Sequence, residues 1–248
     1  MKRLQDKIAV ITGAGKGLGA ATARLFARHG ARVVVVDIDE AAAVDVANQI
    51  EKDSGIARGV RADITVSKDV EQVMDDTVDL WKRIDVLVNN AGIWVPGTVT
   101  DTSEQDWDRL MSVNVNGAYL CSRYAVPHMQ AAGGGSIVCI ASASGVVGQM
   151  NQVAYNTSKH AVVGLVRCMA LDHAVANIRV NAVCPGVIRT PMLDVQSEEQ
   201  LEAMRGMHPI NRIAEPEEIA ETVLHLAGDE SSFTTGCVYL VDGGMTAR

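Results

Sequence analysis

The chain has 248 residues, 22 Lys and Arg against 30 Asp and Glu, a formal charge of −8 and a hydrophobic fraction of 48 %. That length suits a single α/β domain with a sizeable core, so neither disulfides nor a structural metal are needed for folding. A net-acidic chain without a basic run is a poor binder of nucleic acid or anionic membranes, and no apolar run approaches the ~18 residues of a membrane span.

The basic start Met1-Lys2-Arg3 is followed by an apolar stretch, Ile8 to Ile11, too short for an export signal. That stretch reads instead as a first strand, and Val33 to Val36 as a second. Further strands are expected at Ala57 to Ala62, Val86 to Val88, Ile137 to Ile140, Ile178 to Val183 and Cys237 to Val241. Such near-continuous Val/Ile runs fit strands buried on both faces of a parallel sheet. Between them, apolar residues recur at helical spacing over 70–81, 161–169 and 219–227, and Glu215-Pro216-Glu217-Glu218 is a strong helix start. Seven strands alternating with about six helices predict a doubly wound α/β sheet, helices on both faces, in one domain spanning 1–248. The segment 185–212 reads as a long irregular insertion, a mobile lid. The five cysteines are scattered, odd in number and without a C-x-x-C pair, which points to small buried thiols in the cytoplasm. On that reading the glycosylation-type triplet Asn156-Thr157-Ser158 is incidental, and the histidines form no zinc motif.

Directly after the first strand comes Thr12-Gly13-Ala14-Gly15-Lys16-Gly17-Leu18-Gly19, opening an alanine-rich helix. Glycines let such a turn adopt positive φ and let a ligand approach the backbone, while the helix N-terminus offers free N–H groups to a pyrophosphate. Gly17 after Lys16 excludes a P-loop, which needs Ser or Thr there. The second strand ends in Asp37, placed to accept hydrogen bonds from an adenosine ribose and to repel a 2′-phosphate, so NAD is expected over NADP. Lys16 is the contrary sign, a cation within reach of such a phosphate.

Tyr155 and Lys159 stand one helical turn apart on one face. A phenol has a reference pKa of about 10, so acting as a base near pH 7 takes roughly three units, or about 4 kcal/mol. A half-exposed lysine would not supply that; a buried one beside a cationic nicotinamide would come closer. Ser142 follows the fifth strand, at the carboxyl end where open α/β sheets bind ligands, and no G-x-S-x-G surrounds it.

With these motifs in order, from Lys7 to Gly244, the chain resembles the ~250-residue branch of the short-chain dehydrogenase/reductase family. The match includes the glycine turn, Asp63-Ile64, Asn89-Asn90-Ala91-Gly92, Asn114, Ser142, Tyr155 with Lys159, Pro185-Gly186 and Val241-Asp242-Gly243-Gly244. The resemblance implies a Rossmann fold and catalysis by Asn114, Ser142, Tyr155 and Lys159. Tyr155 would be the acid/base, Lys159 would hold the nicotinamide ribose and lower the phenol's pKa, Ser142 would orient the substrate oxygen, and Asn114 would hold a water leading to Lys159. Gly13, Gly17, Leu18, Gly19, Asp37, Asp63, Ile64, Asn90, Ile188 and Thr190 would complete the cofactor site, and the family commonly forms homotetramers. Substrate-facing candidates are Trp94, Ser144, Gln149, Asn151, Val187, Met192 and the lid up to Arg212. No charged residue lies between Ser142 and Tyr155, so a small neutral secondary alcohol or ketone, alicyclic or a vicinal diol, is expected; Arg189, Arg205 and Arg212 in the lid leave an anionic substrate open. The rivals are a 3-oxoacyl-(acyl-carrier-protein) reductase, which Asp37 argues against; an enoyl reductase of the same fold, which the chain resembles less because Tyr and Lys are spaced further apart there; the epimerase branch, which is typically longer; and an inactive NAD-sensing protein, which the intact Asn-Ser-Tyr-Lys set argues against.

Overall fold

The computed structural model describes residues 2–194 and 196–247, without the side chain of Met192, so that candidate lies outside the described residues. Seven strands, β1 (Ile8–Thr12), β2 (Arg32–Asp37), β3 (Ile56–Arg61), β4 (Val86–Asn89), β5 (Gly135–Ile140), β6 (Ile178–Pro185) and β7 (Val238–Val241), form one sheet in the order β3-β2-β1-β4-β5-β6-β7. Every pairing is parallel. Strand order reverses between β1 and β4, and the crevice that opens there at the strands' carboxyl ends is the ligand position of such sheets.

The inner runs became strands because they bury both faces, while β3 and β7 at the sheet edges are only partly covered. In β2, Val33 and Val35 join the core on one side of the sheet, while Val34 and Val36 join the core on the other. The first side is covered by α1 (Gly17–Arg28), α2 (Glu40–Lys52) and α8 (Pro216–Ala227), through Phe26, Ile50 and Leu224 among others. The second is covered by α3 (Ser67–Trp81), α5 (Gly117–Ala131) and α6 (Val153–His173), through Met74, Met129 and Val166. The start of α8 carries Pro216 in its first turn and a reciprocal cap between Glu215 and Glu218, as its sequence predicts.

Two features depart from expectation. The segment 185–212 is not irregular throughout: it contains α7 (Glu198–Gly206), opened by a capping box in which Ser197 and Gln200 each accept from the other's backbone N–H. Between α4 (Glu104–Met111) and α5, residues Ser112–Asn116 widen into a π-helical turn that carries Asn114 inward. The thiols are not uniformly buried either: Cys121, Cys139 and Cys184 are, whereas Cys168 and Cys237 are exposed. No helix among the described residues is long and apolar enough to cross a membrane.

Candidate active site: a cleft walled by a Tyr-Lys pair

A cavity of about 540 Å3 opens along the crevice. One end is lined by the glycine turn, Asp37, Asp63 and Ile64; the middle by Asn90, Ser142, Tyr155, Lys159, Ile188 and Thr190; the outer end by Trp94, Ser144, Gln149, Gln152, Val187, Leu193, Gln196, Met204 and Met245.

The glycine turn is held by side chains from three strands. The Thr12 hydroxyl accepts from the N–H groups of Asn90 (3.1 Å) and Ala91 (3.2 Å), and the Asn90 amide donates to the carbonyls of Thr12 and Gly13 (both 2.9 Å). Asp37 accepts from Gly15 N–H (2.9 Å) through one oxygen and from Asp39 N–H (3.0 Å) through the other. A carboxylate has about four acceptor sites, so capacity for two ribose hydroxyls remains. Gly13 sits at φ +61°, and a Cβ there would fall 2.7 Å from Ala91 Cα. A Cβ at Gly19 would fall 2.3 Å from the Gly13 carbonyl, so Gly19 is required by packing beneath the turn and does not line the cavity. These close approaches leave bare backbone facing the cleft, a cradle that fits a pyrophosphate. Lys16 is drawn aside by Asp39, 3.2 Å away.

The catalytic wall is built where β5 ends. Ser142 caps the 3-10 turn Ala143–Gly145, accepting from Ser144 N–H at 3.1 Å, and lines the cavity together with Tyr155. Burial pushes the Tyr155 pKa up, and the nearby Ser142 hydroxyl only partly pulls it back. Lys159 is 5 % exposed; its ammonium donates to the Ile140 carbonyl at 2.9 Å and stands 5.6 Å from the Tyr155 ring centroid. Burial lowers its own pKa to about 8. Burial thus acts against the charged form of both groups, raising the phenol and lowering the ammonium.

Asn114 sits below the cavity, 2 % exposed. Its Oδ1 accepts from Ile93 N–H (2.8 Å), and its amide donates to the Ile93 carbonyl and the Ser158 hydroxyl (both 3.0 Å). Both amide hydrogens are thus committed, leaving a lone pair of Oδ1 for the implied water. Ser158, completely buried, passes the chain on to the Tyr155 carbonyl at 2.8 Å. Asn151 is exposed and away from the cavity; its neighbour Gln152 lines it instead, accepting from Trp94 Nε1 at 3.2 Å and donating to Gln149 at 3.0 Å. Met204 falls within the lid expected to face the substrate, and Thr12 is part of the expected turn without the bracing role it has; sequence reasoning passed over Ser158, Gln152 and Met245. A threonine closing the strand before a glycine turn was a usable signal; the others are brought in by tertiary packing.

A family model described as enoyl-(acyl carrier protein) reductase matches residues 13–246. The chain is similar to the meso-2,3-butanediol dehydrogenase of Serratia marcescens, at 41 % identity over 99 % of this chain and 96 % of that one. It is similar to the 3-oxoacyl-(acyl-carrier-protein) reductase of Thermotoga maritima at 39 % identity, over 98 % and 99 % of the two chains. Among solved structures, a short-chain type dehydrogenase/reductase from Mycobacterium marinum superposes with a TM-score of 0.94 at 35 % identity, over 99 % and 97 %.

Proposed function

Since the chain belongs to the short-chain dehydrogenase/reductase family and is an oxidoreductase acting on CH–OH groups with a nicotinamide cofactor, we propose that it is NAD-dependent and interconverts a small neutral secondary alcohol and its ketone. The nicotinamide supplies or takes up the hydride. The protein supplies position and the proton. Ser142 holds the substrate oxygen, Tyr155 gives or takes its proton, Lys159 secures the nicotinamide ribose, and Asn114 braces the wall from behind. Gly13, Gly17, Leu18, Asp37, Asp63, Ile64, Asn90, Ile188 and Thr190 form the cofactor's bed.

NAD is favoured by Asp37 and by the tethering of Lys16 to Asp39, which occupies the one turn cation a 2′-phosphate would seek. The observation that carries the substrate reading is the outer end of the cavity. No charged side chain lines it, and the lid arginines are engaged elsewhere: Arg189 with Glu215, Arg205 with Glu198 and Glu202, Arg212 with Glu218. Trp94, Val187, Leu193, Met204 and Met245 give an apolar surround, and Gln149 offers an amide to a second oxygen such as that of a vicinal diol. Exposed Leu171, Val175 and Phe233 support a homo-oligomer, which we take to be a tetramer working in the cytoplasm.

The relative that reduces 3-oxoacyl groups keeps one alternative in play. The decisive experiment measures NADH- and NADPH-dependent reduction of butane-2,3-dione, acetoin and cyclohexanone beside an acetoacetyl thioester. Turnover of the neutral ketones with NADH supports the proposal. Turnover of the thioester alone, or a preference for NADPH, overturns it.

A further inference from the structure

We propose that His208 is a positioning residue that pins the substrate lid to the cavity wall, and that it does so only as the neutral imidazole. The proposal takes the outer end of the cavity as the substrate side, as above. His208 lies just beyond α7 and is 3 % exposed. Its Nε2 is 3.0 Å from Val187 N and its Nδ1 is 2.9 Å from the Met204 carbonyl oxygen. A carbonyl only accepts, so Nδ1 carries the hydrogen; a backbone N–H only donates, so Nε2 is bare. The two partners thus dictate one tautomer. Val187 opens the lid after β6, Met204 belongs to α7, and both line the cavity. One ring therefore joins the two ends of the lid.

The ring also meets a third segment. A Cβ on Gly186 would fall 2.5 Å from Nε2, and one on Gly243 would fall 3.4 Å from His208 Cβ, so the ring is wedged between the end of β6 and the C-terminal turn. Ile210 N–H donates to the Gly243 carbonyl at 3.2 Å, and Met245 from that turn completes the cavity wall.

Protonation would place an N–H at Nε2 facing the N–H of Val187, two donors and no acceptor. The charged groups around the ring are already committed. Asp242 accepts from Gly244 N–H and from the N–H and hydroxyl of Thr246. Arg212 and Glu218, which share a small cavity of about 350 Å3 with the ring, pair with each other. Arg205, whose carbonyl accepts from His208 N–H, binds Glu198 and Glu202. Each of these carboxylates is held by its own partners and the ring's bonds run only to Val187 N–H and the Met204 carbonyl, so on protonation the Val187 contact breaks and the lid base loosens.

The test compares wild type with His208→Leu, which loses both bonds, and His208→Gln, which stays neutral at every pH and retains an acceptor for Val187. Kinetics of butane-2,3-dione reduction by NADH are read at pH 8 and pH 5.5, spanning the interval in which histidines change charge. At pH 8 the Leu variant should raise KM for the ketone about tenfold, the loss expected for an unmade bond to a buried donor, while the NADH Kd measured by calorimetry stays within about twofold. The Gln variant should recover most of that loss. Acidification should raise the wild-type KM several-fold more than that of the Gln variant. Independently, the amide of Val187 should lose hydrogen-exchange protection in the Leu variant and regain it in the Gln variant. Equal KM values for wild type and Leu, or one pH dependence shared by wild type and Gln, overturns the proposal. If wild type reduces no neutral ketone, the substrate reading fails; the exchange arm still decides the pin, and unchanged Val187 protection in the Leu variant sinks it.

Discussion

The glycine turn and the wall that carries Tyr155 face each other across one cleft and are held by opposite means. In the turn, Thr12, Asn90 and Asp37 satisfy backbone groups, and the glycines are required by close approach, so the cradle is held by the chain's own groups. In the wall, a lysine is buried with no carboxylate beside it, a phenol is pushed above its usual range, and Asn156 Oδ1 is buried without a hydrogen-bond partner among the described residues. The turn is a stable receptor. The wall holds groups in places where their charged forms are disfavoured, which is where proton chemistry near neutrality is commonly located.

The largest expected effect breaks the wall without touching the turn. Tyr155→Phe should lower turnover about a thousandfold, in the range of lost general acid–base catalysis. The NADH Kd, read by calorimetry, should stay within about twofold because the cradle is intact. Turnover close to wild type would remove Tyr155 from the reaction.

Lys159→Met sharpens the same contrast through stability. The pKa of Lys159 falls from 10.5 unfolded to about 8 folded, with burial as the leading cause. Below pH 8 both states hold the proton, and the native state bears the full penalty of the buried ammonium. Between pH 8 and 10.5 the unfolded chain binds more protons, so wild-type stability rises with pH and the penalty disappears. The cofactor-free variant should be on the order of 3 kcal/mol more stable than wild type at pH 7, on a scale of about 1.36 kcal/mol per pKa unit, while losing turnover. Urea unfolding at pH 7 and pH 10 should show that gap shrinking as pH rises. A destabilised variant at pH 7 would mean that the bond to the Ile140 carbonyl outweighs the burial of charge.

How far the sequence could be read follows the same division. Strands such as Val33 to Val36 were legible because burial on both faces leaves an unbroken apolar run, and the turn because glycines and Asp37 are local signs of local geometry. The Tyr155–Lys159 pair was legible as a spacing but not as an energy: the extent of burial, which raises the phenol and lowers the ammonium, is set by tertiary packing. Helix α7 was readable from Ser197-x-x-Gln200 and was masked by the proline and glycine around it. The π turn at Asn114 and the placement of His208 depend on partners 21 residues away or more, Ile93 and Val187, and no local motif announces them.

A smaller effect tests the turn itself. Asp37→Ala removes the acceptor of Gly15 N–H and the acid expected at the adenosine ribose. Losing hydrogen bonds to a charged group costs about 1.5–3 kcal/mol, so NADH affinity should fall roughly 10- to 100-fold and NADPH affinity should rise. Calorimetric titration with both cofactors checks this. An unchanged NADH Kd would separate Asp37 from the ribose.

The smallest effect is expected in the lid. Arg212 grips Glu218 through both guanidinium nitrogens at 2.6 Å, and that grip, followed by the Glu215 N–H, holds the Glu218 carboxyl down to about 2. The contribution is therefore fully present above pH 4.5, the ordinary value for the side chain, and is lost as pH falls toward 2. Both side chains are more than two-fifths exposed, so water and salt screen the pair and Arg212→Ala should leave the urea midpoint at neutral pH almost unchanged. A neutral substrate makes no demand on this arginine, and KM for butane-2,3-dione should be unaltered. An anionic substrate would have to draw Arg212 away from Glu218; the variant would then lose affinity for acetoacetate while Glu218→Gln gained it. That paired change, absent for a neutral ketone, is what would move the lid arginines from scaffold to substrate recognition.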